Sequence, residues 1–112
     1  MKAKHNGVDK ATRFIARHYN NLITVEDLVA VSGMSRRGFH KAFVRLTGGT
    51  PHQQLQNVRI NHAKTLLVTG NFRINQIAAY CGYRSLNTFY VAFKRATGIS
   101  PVQYHHGKTR PS

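Results

Sequence analysis

Apolar side chains recur at three- and four-residue spacing almost throughout the chain, the periodicity of helices that bury one face. Val8, Ala11, Ile15 and Tyr19 predict a first helix over residues 8–20, ended by Asn20-Asn21. Thr24 can cap a short second helix whose apolar side is Val25, Leu28 and Val29; Asp27 stands where a capping box wants an acceptor, and Gly33 stops the helix. Ser35 caps a third helix that runs to about Thr47, where Gly48-Gly49 supplies the exit. Thr50-Pro51-His52-Gln53 opens a longer helix with Thr as cap, Pro in the first position and Gln in the third. Its stripe is Leu55, Val58, His62 or Ala63, Leu66 and Leu67, and Gly70 closes it. Ile74, Ile77 and Ala78 mark a short helix ending at Gly82, Ser85 caps another that runs to Thr97-Gly98, and Ser100-Pro101-Val102-Gln103 opens a last turn. Strand periodicity is absent. The prediction is an all-α chain of about seven helices, with flexible ends over residues 1–7 and 107–112 and a disordered-looking tail after Tyr104.

Part of this pattern occurs twice. Before the turn the offset is 49: Val25 matches Ile74, Leu28 matches Ile77, Ala30 matches Ala79 and Gly33 matches Gly82. After it the offset is 50: Phe39 matches Phe89, Ala42 matches Ala92, Phe43 matches Phe93, and Arg45, Thr47, Pro51 and Gln53 match Arg95, Thr97, Pro101 and Gln103. The extra residue falls in a turn, where insertions are tolerated. Each copy is a short helix, a Gly-containing turn and a longer helix, the layout of a helix-turn-helix. Residues 8–49 therefore read as a first lobe, 50–70 as a linker helix and 71–106 as a second lobe.

Charge changes the picture from architecture to partner. Seventeen Lys and Arg face three acids, giving a formal net charge of +14 and a pI near 11.0. The acids, Asp9, Glu26 and Asp27, all lie in the first quarter of the chain. Such an excess favours a polyanion, of which nucleic acid is the commonest; the bland reading is a solvated basic surface. Hydrophobic residues at 41% of the chain are enough for a packed core.

The second helix of each copy has two sides at about 100° per residue. Phe39, Ala42, Phe43 and Leu46 fall on one side in the first copy, and Phe89, Ala92, Phe93 and Ala96 in the second; both sets read as core. The opposite sides carry Arg37, His40, Lys41 and Val44 against Asn87, Tyr90, Val91 and Lys94. Apolar positions agree between copies while the others differ, as expected of one scaffold reading two different sequences. Arg37 has the fork for guanine, Asn87 can pair with adenine, His40 and Lys41 can donate in the major groove, and Val91 can pack on a thymine methyl. For Tyr90 and Val91 the alternative is burial against a neighbouring helix; for Arg37 and Lys41 it is a solvated face. Arg36, Arg45, Arg84, Lys94 and Arg95 flank these faces as phosphate contacts, with Ser35, Ser85 and Thr88 as hydroxyl groups near helix N-termini. A linker helix of about 17–20 residues is about 25–30 Å long at 1.5 Å per residue. That approaches one duplex turn and would suit two lobes entering adjacent major grooves.

The run "INQIAAYCGYRSLNTFYVAFKRATGISPVQY" follows I-x-x-I-A-x-x-x-G-[FY]-x-S and then F-x-x-x-F-K-x-x-x-G-x-[ST]-P-x-x-[YF]. In this it resembles the AraC/XylS family of bacterial transcription regulators, and the likeness covers about residues 8–105. The resemblance implies a seven-helix domain of two helix-turn-helix lobes joined by a linker helix, which binds double-stranded DNA at a promoter and usually recruits RNA polymerase. Carried over by position, it implies base reading by Arg37, His40 and Lys41 in the first lobe and by Leu86, Asn87, Tyr90 and Val91 in the second. Many members carry a polar or basic residue where Val91 stands. Most also have an effector or dimerisation domain, for which 112 residues leave no room. The chain is then either a stand-alone regulator or the DNA-binding part of a longer protein.

Other chemistry fits poorly. The seven histidines pair with no carboxylate or cysteine at metal-ligand spacing, and His62 reads as a hydrogen-bonded core histidine. Three acids and one cysteine make no catalytic constellation, so the expectation is a non-enzyme without cofactor. Cys81 reads as a small buried hydrophobe. No apolar run approaches a membrane span and the N-terminus lacks a signal-peptide core, which predicts a cytoplasmic protein without membrane contact. The rival function is a non-specific architectural or RNA-binding basic protein.

Overall fold

The computed structural model describes the backbone of residues 2–109 and the side chains of residues 7–105. Seven helices and no strand occur among the described residues: α1 (Lys2–His18), α2 (Val25–Ser32), α3 (Arg36–Thr47), α4 (Pro51–Thr69), α5 (Ile74–Tyr80), α6 (Leu86–Thr97) and α7 (Pro101–Thr109). Two compact units divide between Val58 and Arg59. Helix α4 supplies residues to both. No described helix is long and apolar enough to cross a membrane.

In the first unit α1 packs on α2 and α3. Its core is Val8, Ala11, Ile15, Tyr19, Leu28, Phe39, Ala42, Phe43 and Leu55. The α2 cap is a reciprocal pair, Thr24 N–H donating to Asp27 Oδ2 at 2.9 Å and Asp27 N–H donating to Thr24 Oγ1 at 3.2 Å. Helix α1 begins six residues ahead of the apolar periodicity. Gly7 permits close approach there: a Cβ on it would lie 2.7 Å from Met34 Sδ and 2.8 Å from Ser32 O.

The second unit builds its core from Ile60, Ala63, Leu67, Ile77, Ala78, Cys81, Tyr83, Phe89 and Phe93. Helix α7 continues past Tyr104 to Thr109, and His105 Nδ1 lies 2.8 Å from Leu67 O near the end of α4. The tail is thus helical where the sequence suggested disorder; residues 110–112 and Met1 lie outside the described residues. Any side-chain polar atom buried among the described residues has a partner, as expected where an orphan would cost about 1–3 kcal/mol.

The repeat survives atom by atom. Ser35 Oγ accepts from Gly38 N–H at 3.1 Å, and Ser85 Oγ accepts from Thr88 N–H at 3.1 Å. The ring centroids of Phe39 and Phe43 are 5.4 Å apart, those of Phe89 and Phe93 5.6 Å. Thr47 and Thr97 each bond back to the Phe carbonyl four residues earlier, at 2.8 and 2.9 Å. Gly48 and Gly98 then take φ of 85° and 88°, the left-handed backbone that ends each helix. Thr50–Gln53 and Ser100–Gln103 form matching reciprocal caps for the helices that follow.

Candidate nucleic-acid interface

Helix α3 separates its two sides as its sequence requires. Phe39, Ala42 and Phe43 are buried, whereas Arg37, His40, Lys41 and Val44 are exposed. Arg36, Arg37, His40 and Lys41 together line an open depression of about 560 Å³. Three expected base readers therefore share one concave basic surface with a residue expected to bind phosphate. Arg36 also forms an ion pair with Glu26 on α2, with both side chains mostly solvent-accessible.

Helix α6 repeats the separation with different chemistry. Phe89 and Phe93 are fully buried, while Leu86, Asn87 and Val91 are exposed. Tyr90 is half-buried, edge-on to Phe89 with centroids 6.4 Å apart. Partial burial against the neighbouring helix is the alternative for Tyr90 and Val91; Tyr90 is partly buried against the second core, whereas Val91 is 52% exposed. Among the expected phosphate contacts, Ser35, Arg45, Arg84, Ser85, Thr88, Lys94 and Arg95 are all exposed. Ser85 and Thr88 hydroxyl oxygens lie 2.9 Å apart, bonded to each other at the start of α6.

Three placements differ from expectation. Leu46 and Ala96, expected with the phenylalanines, are exposed, since periodicity gives the side of a helix but not how far its packing partner extends. His62 is exposed rather than a core histidine; Ala63 takes the buried position beside it. Sequence reasoning missed two buried positions on α4: Ile60, 2% exposed, and Arg59, 8% exposed, whose guanidinium lies 5.6 Å from the Tyr83 ring centroid. The signal for Arg59 was available: Leu55, Arg59, Ala63 and Leu67 form one i, i+4 row along α4.

Arg59 lies beneath the turn that leads into α6, and this environment shifts three groups. Burial pushes the Cys81 thiol from its ordinary 9.0 up to about 11, against the opposing pull of Arg59. Burial likewise raises Tyr83 from 10.0 to about 12, again opposed by Arg59. Desolvation lowers Arg59. Both acids have folded pKa values above their unfolded ones, so the unfolded chain ionises first as pH rises. Stability is full below about pH 8 and is lost as pH climbs through the folded values of about 11 and about 12. Denaturant midpoints measured between about pH 8 and 11 should fall, and Tyr83→Phe should flatten that decline. An equal decline in Tyr83→Phe would refute the assignment.

Comparison with known proteins agrees with this arrangement. A family model described as a helix-turn-helix domain matches residues 28–107. The xylose operon regulatory protein of Escherichia coli K12 is 33% identical over 97 residues, covering 87% of this chain and 25% of that protein. The chain thus spans about a quarter of that relative's length. Among solved structures, the DNA-binding domain of the global transcriptional factor AdpA, in complex with a target DNA, superposes with a TM-score of 0.86 at 32% identity, covering 91% of this chain and 92% of that one. The C-terminal domain of AraT, a response regulator from Geobacillus stearothermophilus, gives 0.88 at 26% identity, covering 95% and 88%.

Proposed function

The chain belongs to the AraC/XylS family of helix-turn-helix transcription regulators, and from that premise we propose that it binds double-stranded DNA sequence-specifically. Helices α3 and α6 act as two recognition helices on an asymmetric site, entering successive major grooves. The observation that carries this is the contrast between copies: matched buried phenylalanines beneath unmatched exposed side chains, Arg37 against Asn87 and Lys41 against Val91. A surface that met only phosphate would need charge alone, and a uniform one would serve. Likeness to the AdpA domain, whose structure holds a target DNA, supports the same reading.

Arg37, His40 and Lys41 read bases from the first unit, and Leu86, Asn87, Tyr90 and Val91 from the second. Ser35, Arg36, Arg45, Arg84, Ser85, Thr88, Lys94 and Arg95 hold the backbone. In the cell the protein would act at promoters in the cytoplasm, contact RNA polymerase, perform no catalysis, and work with an effector or dimerisation domain of the kind its longer relatives have room for.

Competition separates this reading from a non-specific basic protein. Unlabelled unrelated duplex should barely displace a cognate site, and displacement equal to that by cognate competitor would refute the proposal. Arg95→Ala should weaken all duplexes about equally and reduce the log–log salt slope by about one unit.

A further inference from the structure

Resting on the DNA-binding proposal, we propose that Glu26 is a specificity-determining residue that acts through Arg36. Its carboxylate withholds the Arg36 guanidinium from phosphate and presents it to base edges, which moves Arg36 from the backbone-holding set to the reading set.

Glu26 lies in the first turn of α2 and Arg36 is the first residue of α3, so their ion pair bridges the turn of the first helix-turn-helix. Of the three acids, Asp27 is engaged in its own helix cap and Asp9 lies on α1. Glu26 is therefore the acid set against the basic depression formed by Arg36, Arg37, His40 and Lys41. Arg36 lines that depression together with three base readers.

The scaffold does not require the pair. In the second copy the matching positions are Asn75 and Leu86, yet the serine cap, the Phe pair and the Thr-Gly exit are all rebuilt there. An exposed ion pair adds little to stability, and a cation at a helix N-terminus is itself unfavourably placed against the helix dipole. Position 86, which Arg36 matches, already belongs to the base-reading set. A guanidinium has five N–H donors, so one held by a carboxylate through Nη2 still has donors for guanine O6 and N7.

On random duplex this arrangement works against binding. Non-specific affinity grows with each phosphate that a cation neutralises. A phosphate taken by the spare donors of the paired guanidinium would lie beside the Glu26 carboxylate, whose charge repels it, whereas a neutral guanine edge meets no such repulsion. The first unit thus makes one phosphate contact fewer than its charge would allow, while its contacts to bases are kept in register.

The test measures binding by fluorescence anisotropy to a duplex recovered from a random library and to its shuffled counterpart. Wild type, Glu26→Gln, Arg36→Gln and the double variant are compared between about 50 and 200 mM salt. Glu26→Gln should tighten shuffled-duplex binding about 2–5-fold and steepen its salt slope by about one, and should narrow the cognate-to-shuffled ratio about 3–10-fold. In the Arg36→Gln background the same change should do none of these. An unchanged slope and ratio in Glu26→Gln, or equal effects in both backgrounds, would overturn the proposal. Wild-type protein that binds the two duplexes equally would overturn base reading itself, a different and separately recognisable failure. All four proteins should keep the wild-type helical signal, since both side chains lie at the surface.

Discussion

Phe93→Ala is expected to remove about 3–5 kcal/mol from the stability of the second unit and to leave the first unit intact. The Phe93 ring is fully buried, with its centroid 5.6 Å from that of Phe89 and 5.4 Å from that of Tyr104. Truncation forfeits the transfer energy of the ring, its aromatic contacts on both sides and the packing of whatever cannot collapse into the void. Helix α6 depends on this ring for its orientation, so Asn87 and Val91 lose their placement with it. The two units have separate cores, one from Val8 to Leu55 and the other from Ile60 to Phe93. Hydrogen exchange resolved by residue should therefore show protection lost across α5 to α7 and kept across α1 to α3. Loss spread evenly over both units would refute the independence of the cores. On DNA, the variant should lose the element read by the second unit and keep the first.

Arg37→Ala is expected to cost about 1–3 kcal/mol on the cognate duplex and to relax base preference at one position. The residue is exposed, lies in the second position of α3, and lines the basic depression with His40 and Lys41. A bidentate fork onto a guanine edge distinguishes that base from the other three, whereas a contact to phosphate distinguishes none. Affinity for random duplex should change little beyond the loss of one charge. A loss of equal size on cognate and random DNA would place Arg37 among the phosphate contacts instead.

The extent to which the sequence disclosed this molecule follows from which forces are local. Helix ends were legible because caps are local chemistry: Thr24 with Asp27, Thr50 with Gln53 and Ser100 with Gln103 each satisfy backbone donors within four residues. The division of α3 and α6 into buried and exposed sides was legible from Phe spacing, and more so because it occurs twice. What was hidden depends on the partner surface. Leu46 and Ala96 have the correct phase for burial and are exposed. His62 and Ala63 are neighbours on α4, and only packing decides that Ala63 goes inside. Arg59 stands in phase with Leu55, Ala63 and Leu67, and it is buried because a long aliphatic stem can pass through a core while its guanidinium finds the face of Tyr83; its charge alone argues against that placement.

The start of α1 was missed for a related reason. A glycine in a helix normally costs about 1 kcal/mol relative to alanine, and the apolar periodicity begins only at Val8, one residue after Gly7. Here the missing side chain lets α1 approach the Met34 turn closely. The tail after Tyr104 reads as disordered, yet His105 is held by the Leu67 carbonyl, 38 residues earlier. For the candidate interface, residue types and their side of the helix were legible, whereas the pairing of Glu26 with Arg36 required the turn between α2 and α3 to be built.

We propose that one scaffold, used twice, reads two different sequences. Selection of bound sites from a random duplex library tests it most directly. The recovered site should hold two unlike elements about one helical turn, roughly 10 bp, apart, the first altered by Arg37→Ala and the second by Asn87→Ala. A single element, a palindrome of like elements, or no enrichment over the starting library would contradict it.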